Sequence, residues 1–228
     1  MRISVCIPTY EMKGKGVDFL THSFLWLEKQ TFQDFEVIVS DHSENDDIKN
    51  LCKSKGNLDI KYIRNEKNRG SSSSNLNNAL QKAIGEVIKI LFQDDYICDT
   101  HCLEMIQEKF QDSRVSWVVN GTIHTSDGNQ FFNPLIPRYN KTIHLGNNTI
   151  SSPSVLAIRN KEVLPFDEKL SWLMDVEYYK RLYEKHGEPT IIENILVVNR
   201  LWDGQISNSM ITQDIINEEV SYVKAKHS

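Results

Sequence analysis

The sequence predicts an α/β domain with a mostly parallel central sheet flanked by helices, and three observations carry that expectation. Apolar runs of strand length alternate with amphipathic stretches of helical spacing through the first half of the chain. Each predicted strand runs into a cluster of polar residues, the pattern of a sheet whose strand ends carry function. The length, 228 residues of which 39% are hydrophobic, suits one such domain with a sizeable core.

Taken in order, Ile3–Pro8 is a short apolar strand, and Val17–Gln30 is a helix with Phe19, Leu20, Phe24 and Leu27 at helical spacing. Phe35–Ser40 reads as a second strand, Ile48–Lys55 as a short helix and Ile60–Arg64 as a third strand. Ser72–Ile84 is a helix whose preceding serines offer N-caps, and Val87–Phe92 is a fourth strand. This βαβαβαβ order requires crossover connections, hence parallel strands with helices on both faces. The second half is less regular. It holds a helix from Thr100 to Phe110, a strand at Val115–Asn120, a polar stretch to Asn148, the run "SVLAIRN", a helix from Asp175 to His186 and the strand "TIIENILVVNR".

Composition removes several classes of function. Lys plus Arg number 26 against 31 acids, a formal charge of −5, so no net basic field draws nucleic acid or an anionic membrane. The opening "MRISVCIPTY" has no basic-then-apolar leader, and the four cysteines (Cys6, Cys52, Cys98, Cys102) fit a reducing cytosol. Cys98 and Cys102 lack a second Cys or His pair of matching spacing, so they read as ordinary thiols. No apolar run has membrane-spanning length, so any membrane association is expected to be peripheral, at the inner face. Gly14-Lys15-Gly16 matches neither phosphate-loop spacing, and the signatures of serine hydrolases and zincins are absent.

The strand ends are where chemistry is expected. They read "PTYE" (Pro8–Glu11), "SDHS" (Ser40–Ser43), "RNEKNRGSSSSN" (Arg64–Asn75) and "FQDDY" (Phe92–Tyr96). Adjacent acids at the mouth of a sheet, Asp94 and Asp95, repel one another unless a cation relieves them, and a divalent ion carrying a diphosphate would do so. Isolated turn acids more often mark a helix start, and Asp41 can be read as a helix cap in the same way. Asp175 and Glu177 open an amphipathic helix, where acids also favour the macrodipole. Trp172 and Tyr178 nearby offer a ring-stacking wall of the kind sugars use, beside which a carboxylate can take a hydroxyl proton.

Five ordered pieces resemble a family 2 inverting glycosyltransferase of the GT-A, Rossmann-like fold: "VCIPTYE", "FEVIVSDHS", "NEKNRGSSSSNLNNALQKAIGEVIKILFQDD", "ISSPSVLAIRNK" and "FDEKLSWLMDVEYYKRL". The resemblance implies a single domain over 1–228, with a nucleotide-sugar-binding half (1–98), a smaller acceptor-binding half (99–205) and a C-terminal helix (206–228). By matching position, Pro8, Thr9, Tyr10 and Glu11 would line the base and ribose of the donor, and Asp41 would accept a hydrogen bond from a uracil-type ring. Asn68, Arg69, Gly70 and Asn75 would close over the nucleotide. The family's Asp-x-Asp motif falls at "FQDDY", where its last acid would hold Mn2+ or Mg2+ through the diphosphate, and here the chain departs from the pattern. With Asp95 as the metal acid the first motif acid has become Gln93, and with Asp94 it has become Phe92. Asp95 is preferred, with Asp94 assisting, because eight residues separate it from Leu103, an apolar anchor of the next helix. Gln93 would then bond a ribose hydroxyl.

The resemblance further implies Asp175 as the general base and an acceptor site bordered by Ser152, Pro153, Ser154, Trp172 and Glu177. Relatives carry a His near "RLWDGQIS" where this chain has Trp202, and no metal role is assigned there. The expected reaction moves a sugar from a nucleotide-diphospho-sugar, UDP-type, to a glycan or lipid-linked acceptor in surface polysaccharide synthesis. A nucleotidyltransferase making the sugar nucleotide is the rival enzyme, but "IPTYEMKGKG" places its glycines too late for that class. A degenerate, non-catalytic nucleotide-sugar-binding module is the other alternative, and intact Asp95 and Asp175 speak against it. Sugar, linkage and oligomeric state are not legible.

Overall fold

The computed structural model describes residues 1–205 and 211–228. The first half alternates β1 (Ile3–Thr9), α1 (Gly16–Glu28), β2 (Phe35–Asp41), α2 (Asp47–Ser54), β3 (Ile60–Arg64), α3 (Ser72–Leu80) and β4 (Val87–Ile90). There follow β5 (Tyr96–Ile97), α4 (Cys102–Lys109), β6 (Trp117–Thr125), β7 (Phe132–Leu135), β8 (Leu156–Arg159), α5 (Met174–His186), β9 (Thr190–Arg200) and α6 (Gln213–Lys226). The strands join in one sheet of order β3-β2-β1-β4-β8-β6-β9-β5, with β7 on the side of β6. Pairings among β3, β2, β1 and β4 are parallel, as the crossovers demand, and so is β6 with β9. β8 enters antiparallel between β4 and β6 and closes the first half onto the second.

Side chains alternate across the sheet because strand geometry has period two. Ile3, Val5 and Ile7 of β1 point to one core, shared with Leu20, Phe24 and Leu27 of α1 and Leu103 and Ile106 of α4. Cys6, Ile38, Ile88 and Ile90 point to the other, shared with Leu76 and Leu80 of α3, Tyr178 and Leu182 of α5 and Val223 of α6. The strands are buried on both faces, which is why they read as apolar runs rather than as alternating ones.

Several boundaries differ from the sequence expectation, each for a local reason. The helix expected to reach Ile84 ends at Leu80, because the N–H groups of Ile84 and Gly85 donate instead to Glu36 Oε1 (2.9 Å) and Ser4 Oγ (2.8 Å). The strand expected to reach Phe92 ends at Ile90, because the Phe92 N–H is taken by Ser154 Oγ (2.9 Å). The strand expected at Val115–Asn120 is Trp117–Thr125, and the polar stretch after it contains β7. Ser71 is the N-cap of α3, its Oγ accepting from the Ser74 N–H (3.1 Å). Of the C-terminal helix expected from 206, residues 206–210 lie outside the described residues, and α6 covers Gln213–Lys226.

α6 does more than cover the core. Glu219, 6% exposed, accepts backbone N–H groups of Ser171 (2.7 Å), Trp172 (3.0 Å) and Leu173 (2.8 Å), satisfying donors that the start of α5 leaves without intrahelical partners. Glu219→Ala leaves those buried donors unanswered and is expected to lower stability by about 3 kcal/mol, read as a reduced urea midpoint at unchanged slope.

Candidate active site

A cleft of about 730 Å³ opens beyond the carboxyl ends of β1 and β4, where the strand order reverses. Open α/β sheets bind ligands at that crevice because the loops on either side of it run in opposite directions. One side is lined by Pro8, Thr9, Tyr10, Glu11, Arg69, Gly70, Asn75, Asp94 and Asp95, and the other by Ser152, Pro153, Trp172 and Asp175, all expected from the sequence. Asn75 holds the first side together, donating to the Thr9 carbonyl (3.0 Å) and accepting from Ser40 Oγ (2.7 Å).

Five expected residues are not on the cleft wall. Asp41 is fully buried, and its carboxylate accepts from Tyr62 Oη (2.7 Å) and the Ser43 N–H (2.9 Å), so it braces the floor; His42 lines the cleft in its place. Asn68, at φ +50°, turns outward and donates to Glu168 Oε2 (2.7 Å). Gln93 is buried and spans from the Tyr10 N–H (2.9 Å) to the Gly16 carbonyl (2.8 Å), fixing the loop after β1 rather than facing a ribose. Ser154 is buried beneath the loop before β8, where its Oγ receives the Phe92 N–H. Glu177 faces away and is ion-paired with Arg181 (2.8 Å), Lys226 (2.9 Å) and His227 (3.2 Å), tying α5 to α6.

The acidic pair divides its work. Asp95 is 3% exposed, accepting from Ser152 Oγ at Oδ2 (2.9 Å) and from the Arg200 N–H at Oδ1 (3.3 Å). Asp94 is the more exposed of the two, and its Oδ2 accepts from Trp202 Nε1 (3.1 Å) and Gln205 Nε2 (3.5 Å). Both carboxyls are held above the usual range, Asp94 by burial and then by the charge of Asp95, and Asp95 by burial. Both acids line the cleft, Asp95 the more buried and held by protein donors at both carboxylate oxygens, Asp94 the more exposed, and with Asp94 as the metal acid the motif register shifts by one. Phe92, which lines the cleft, then occupies the first motif position.

Among the described residues no three or more His, Cys, Asp and Glu side chains converge on a metal cage. One carboxylate with substrate phosphate oxygens is nonetheless how Mg2+ is commonly held, and two adjacent acids raised by burial, Asp94 also by the charge of Asp95, are a donor set such a cation fits. Two fixed cations sit behind the pair. Arg200 lies between the Phe19 and Tyr96 rings (4.5 and 5.0 Å) and donates to the Asp94 carbonyl (2.8 Å). Lys89, fully buried, donates to Asn120 Oδ1 (3.1 Å) and to the Ser154 carbonyl, and burial pushes its pKa down to about 8.

On the other side Asp175 sits in the first turn of α5. Burial pushes its pKa up to about 7, against the opposing hydrogen bonds of the Val176 N–H and Asn148 and with the charge of Glu219 adding to the rise. A carboxyl poised there is matched to proton transfer near neutral pH. The Trp172 ring packs directly on Gly146, which has φ +97° and on which a Cβ would lie 2.8 Å from the ring.

Other cleft residues escaped the sequence reading. Asn199 follows the rule of polar strand ends and was legible at the end of "ILVVNR"; Leu201 just after it, and His124 and Leu135 on the β6–β7 hairpin, carried no signal. Asn148 closes the polar stretch, and Ser151, which opens the "SSPS" loop expected to border the acceptor, has φ +103° and holds a backbone strain of about 1–3 kcal/mol of the kind found at functional sites.

The family model for Glycosyl transferase family 2 matches residues 4–171. The chain is 32% identical over 96 residues to the GalNAc(5)-diNAcBac-PP-undecaprenol beta-1,3-glucosyltransferase of Campylobacter jejuni, covering 41% of this chain and 30% of that one. It is 33% identical over 100 residues to the poly(ribitol-phosphate) beta-N-acetylglucosaminyltransferase TarS of Staphylococcus aureus, covering 42% and 17%. The fold matches the crystal structure of S. aureus TarS 1-349 in complex with UDP-GlcNAc at a TM-score of 0.78 and 19% identity, over 99% of this chain and 66% of that one. It matches the mannosyltransferase PcManGT of Pyrobaculum calidifontis in complex with GDP-Man and Mn2+ at 0.63 and 16% identity, over 86% and 56%. The chain thus spans less than half the length of these two sequence relatives.

The Trp172 wall yields a test. Gly146→Ala puts a methyl group against the ring at a backbone angle that alanine resists, and is expected to lower the melting temperature by several degrees while changing tryptophan fluorescence as Trp172 shifts.

Proposed function

The chain belongs to glycosyl transferase family 2, and from that premise we propose that it transfers a sugar, with inversion, from a UDP-type nucleotide sugar to a hydroxyl of a glycan or lipid-linked acceptor. The observation that carries this reading is the cleft lined together by an acidic pair and by a carboxyl of pKa about 7. The relatives named for UDP-GlcNAc and for polyprenol-linked or poly(ribitol-phosphate) acceptors support a donor and acceptor of those classes and a part in surface polysaccharide synthesis. No helix among the described residues is long and apolar enough to cross a membrane, and contact with a lipid-linked acceptor would be made from a membrane surface.

In this reading Pro8 to Glu11, with His42, Arg69, Gly70 and Asn75, form the wall for base and ribose. Asp94 would hold Mn2+ or Mg2+ together with the diphosphate, beside Asp95, which the Ser152 and Arg200 hydrogen bonds fix in place. The cation, when bound, neutralises charge on the departing nucleoside diphosphate. Ser152, Pro153 and Trp172 border the acceptor. Asp175 takes the proton of the attacking hydroxyl from the face opposite the leaving group, which inverts the anomeric centre.

A screen of UDP-, GDP- and dTDP-sugars for Mn2+- or Mg2+-dependent thermal stabilisation and slow donor hydrolysis tests the assignment; if no nucleotide binds, the transferase reading fails. Asp175→Asn is expected to cut transfer by about 10²–10⁴-fold while sparing donor binding. Asp94→Asn is expected to weaken metal-dependent nucleotide binding, and the reverse pattern would overturn these roles. Because the raised pKa leaves Asp175 protonated on the acid side of about 7, turnover is expected to fall roughly tenfold per unit as pH drops below that value, and Asp175→Asn to lose this limb.

A further inference from the structure

We propose that Asn148 is a positioning residue for Asp175, and that Ser151 couples it to the Asp94–Asp95 wall through a continuous chain of hydrogen bonds; the catalytic meaning of this rests on Asp175 being the base. The Asn148 side-chain amide uses all of its hydrogen-bonding groups, three on its own loop and one on α5. Its Oδ1 accepts the backbone N–H groups of Ile150 (3.0 Å) and Ser151 (2.9 Å), while Nδ2 donates to the Ser151 carbonyl (3.1 Å) and to Asp175 Oδ2 (2.8 Å). Two backbone donors on the oxygen leave the amide one orientation, so an N–H must face the Asp175 carboxylate.

Ser151 extends the chain to the opposite wall. Its carbonyl also accepts from Tyr179 Oη (3.1 Å), and its Oγ donates to Asn199 Oδ1 (2.9 Å). Asn199 Nδ2 donates to Ser152 Oγ (2.8 Å), which donates to Asp95 Oδ2 (2.9 Å). The left-handed backbone at Ser151 turns its carbonyl to Asn148 and its hydroxyl to Asn199. A carboxylate that accepts a fixed N–H is stabilised as the anion and held in one rotation, which is what a base needs before the acceptor arrives. The titratable groups around Asp175 are Tyr179 on α5 and Glu219 on α6, with His124 on β6 and the Asp94–Asp95 pair lining the same cleft.

Asn148→Asp keeps an acceptor for Ile150 and Ser151 but cannot donate to Asp175 and adds a like charge beside it, so the neutral Asn148→Ser is read with it to separate the lost N–H from the added charge. Side-chain carboxyl 13C titration of the full chain, with the Asp175 signal assigned by its loss in Asp175→Asn, reads the result without any substrate. The midpoint is expected to rise by at least one pH unit in Asn148→Asp, with the acid limb of UDP-sugar turnover moving by the same amount and UDP affinity in Mn2+ unchanged. Asn148→Ser, which keeps a backbone acceptor but does not reach Asp175, is the second variant should the first fail to fold, and it is expected to shift the midpoint in the same direction. An unmoved midpoint overturns the inference while leaving Asp175 as base. A moved midpoint with full turnover in Asp175→Asn leaves the coupling standing and overturns the base assignment instead.

Discussion

The carboxylate of Asp95 is the point on which the two halves of the molecule meet. It is buried at the carboxyl end of the first sheet half, where an unanswered charge would cost several kcal/mol. The donors that answer it come from elsewhere: Ser152 on the loop before β8, and the Arg200 N–H at the end of β9, while the Asp95 carbonyl receives Ser23 Oγ of α1 (2.9 Å). Satisfying one residue thus sets the position of the loop before β8, the end of β9 and the first helix at once. The cleft is the space left between them.

Electrostatics then distinguishes acids that a sequence cannot. Asp95 is held by scaffold donors, Asp94 stands more exposed beside it at the cleft, and Asp175 is set apart from the pair, bonded to Asn148 and raised by burial and the charge of Glu219. Arg200 and Lys89 supply fixed positive charge behind the pair from positions that do not line the cleft, so the acids are partly compensated without being blocked. Rings on both sides of the Arg200 guanidinium hold it there, a role its planar, delocalised charge allows.

Much of the candidate site was legible because strand ends are local. Pro8 to Glu11, Arg69, Gly70, Asn75 and the acidic pair each terminate an apolar run or open a helix, and Asp175 announces itself at a helix start beside Trp172. The errors came where residue type was read without knowledge of its partners. Asp41 and Gln93 have the right chemistry for ribose and base but spend it on Tyr62, Ser43, Tyr10 and Gly16, and Glu177 lies two positions past Asp175, on the face of α5 that meets α6. Asn148, Ser151 and His124 lie in irregular or hairpin backbone, where no periodicity marks a side chain as facing inward.

The sequence by itself determined the alternation of strands and helices, the parallel first half, and the list of polar strand ends, because each follows from apolar spacing and crossover geometry within one stretch of chain. Tertiary structure alone decided which donors hold each acid of the pair, where β8 inserts, and how Asn148 reaches Asp175. Those are questions of which donor meets which acceptor across distant segments, and a buried carboxylate takes its role from the partners that surround it.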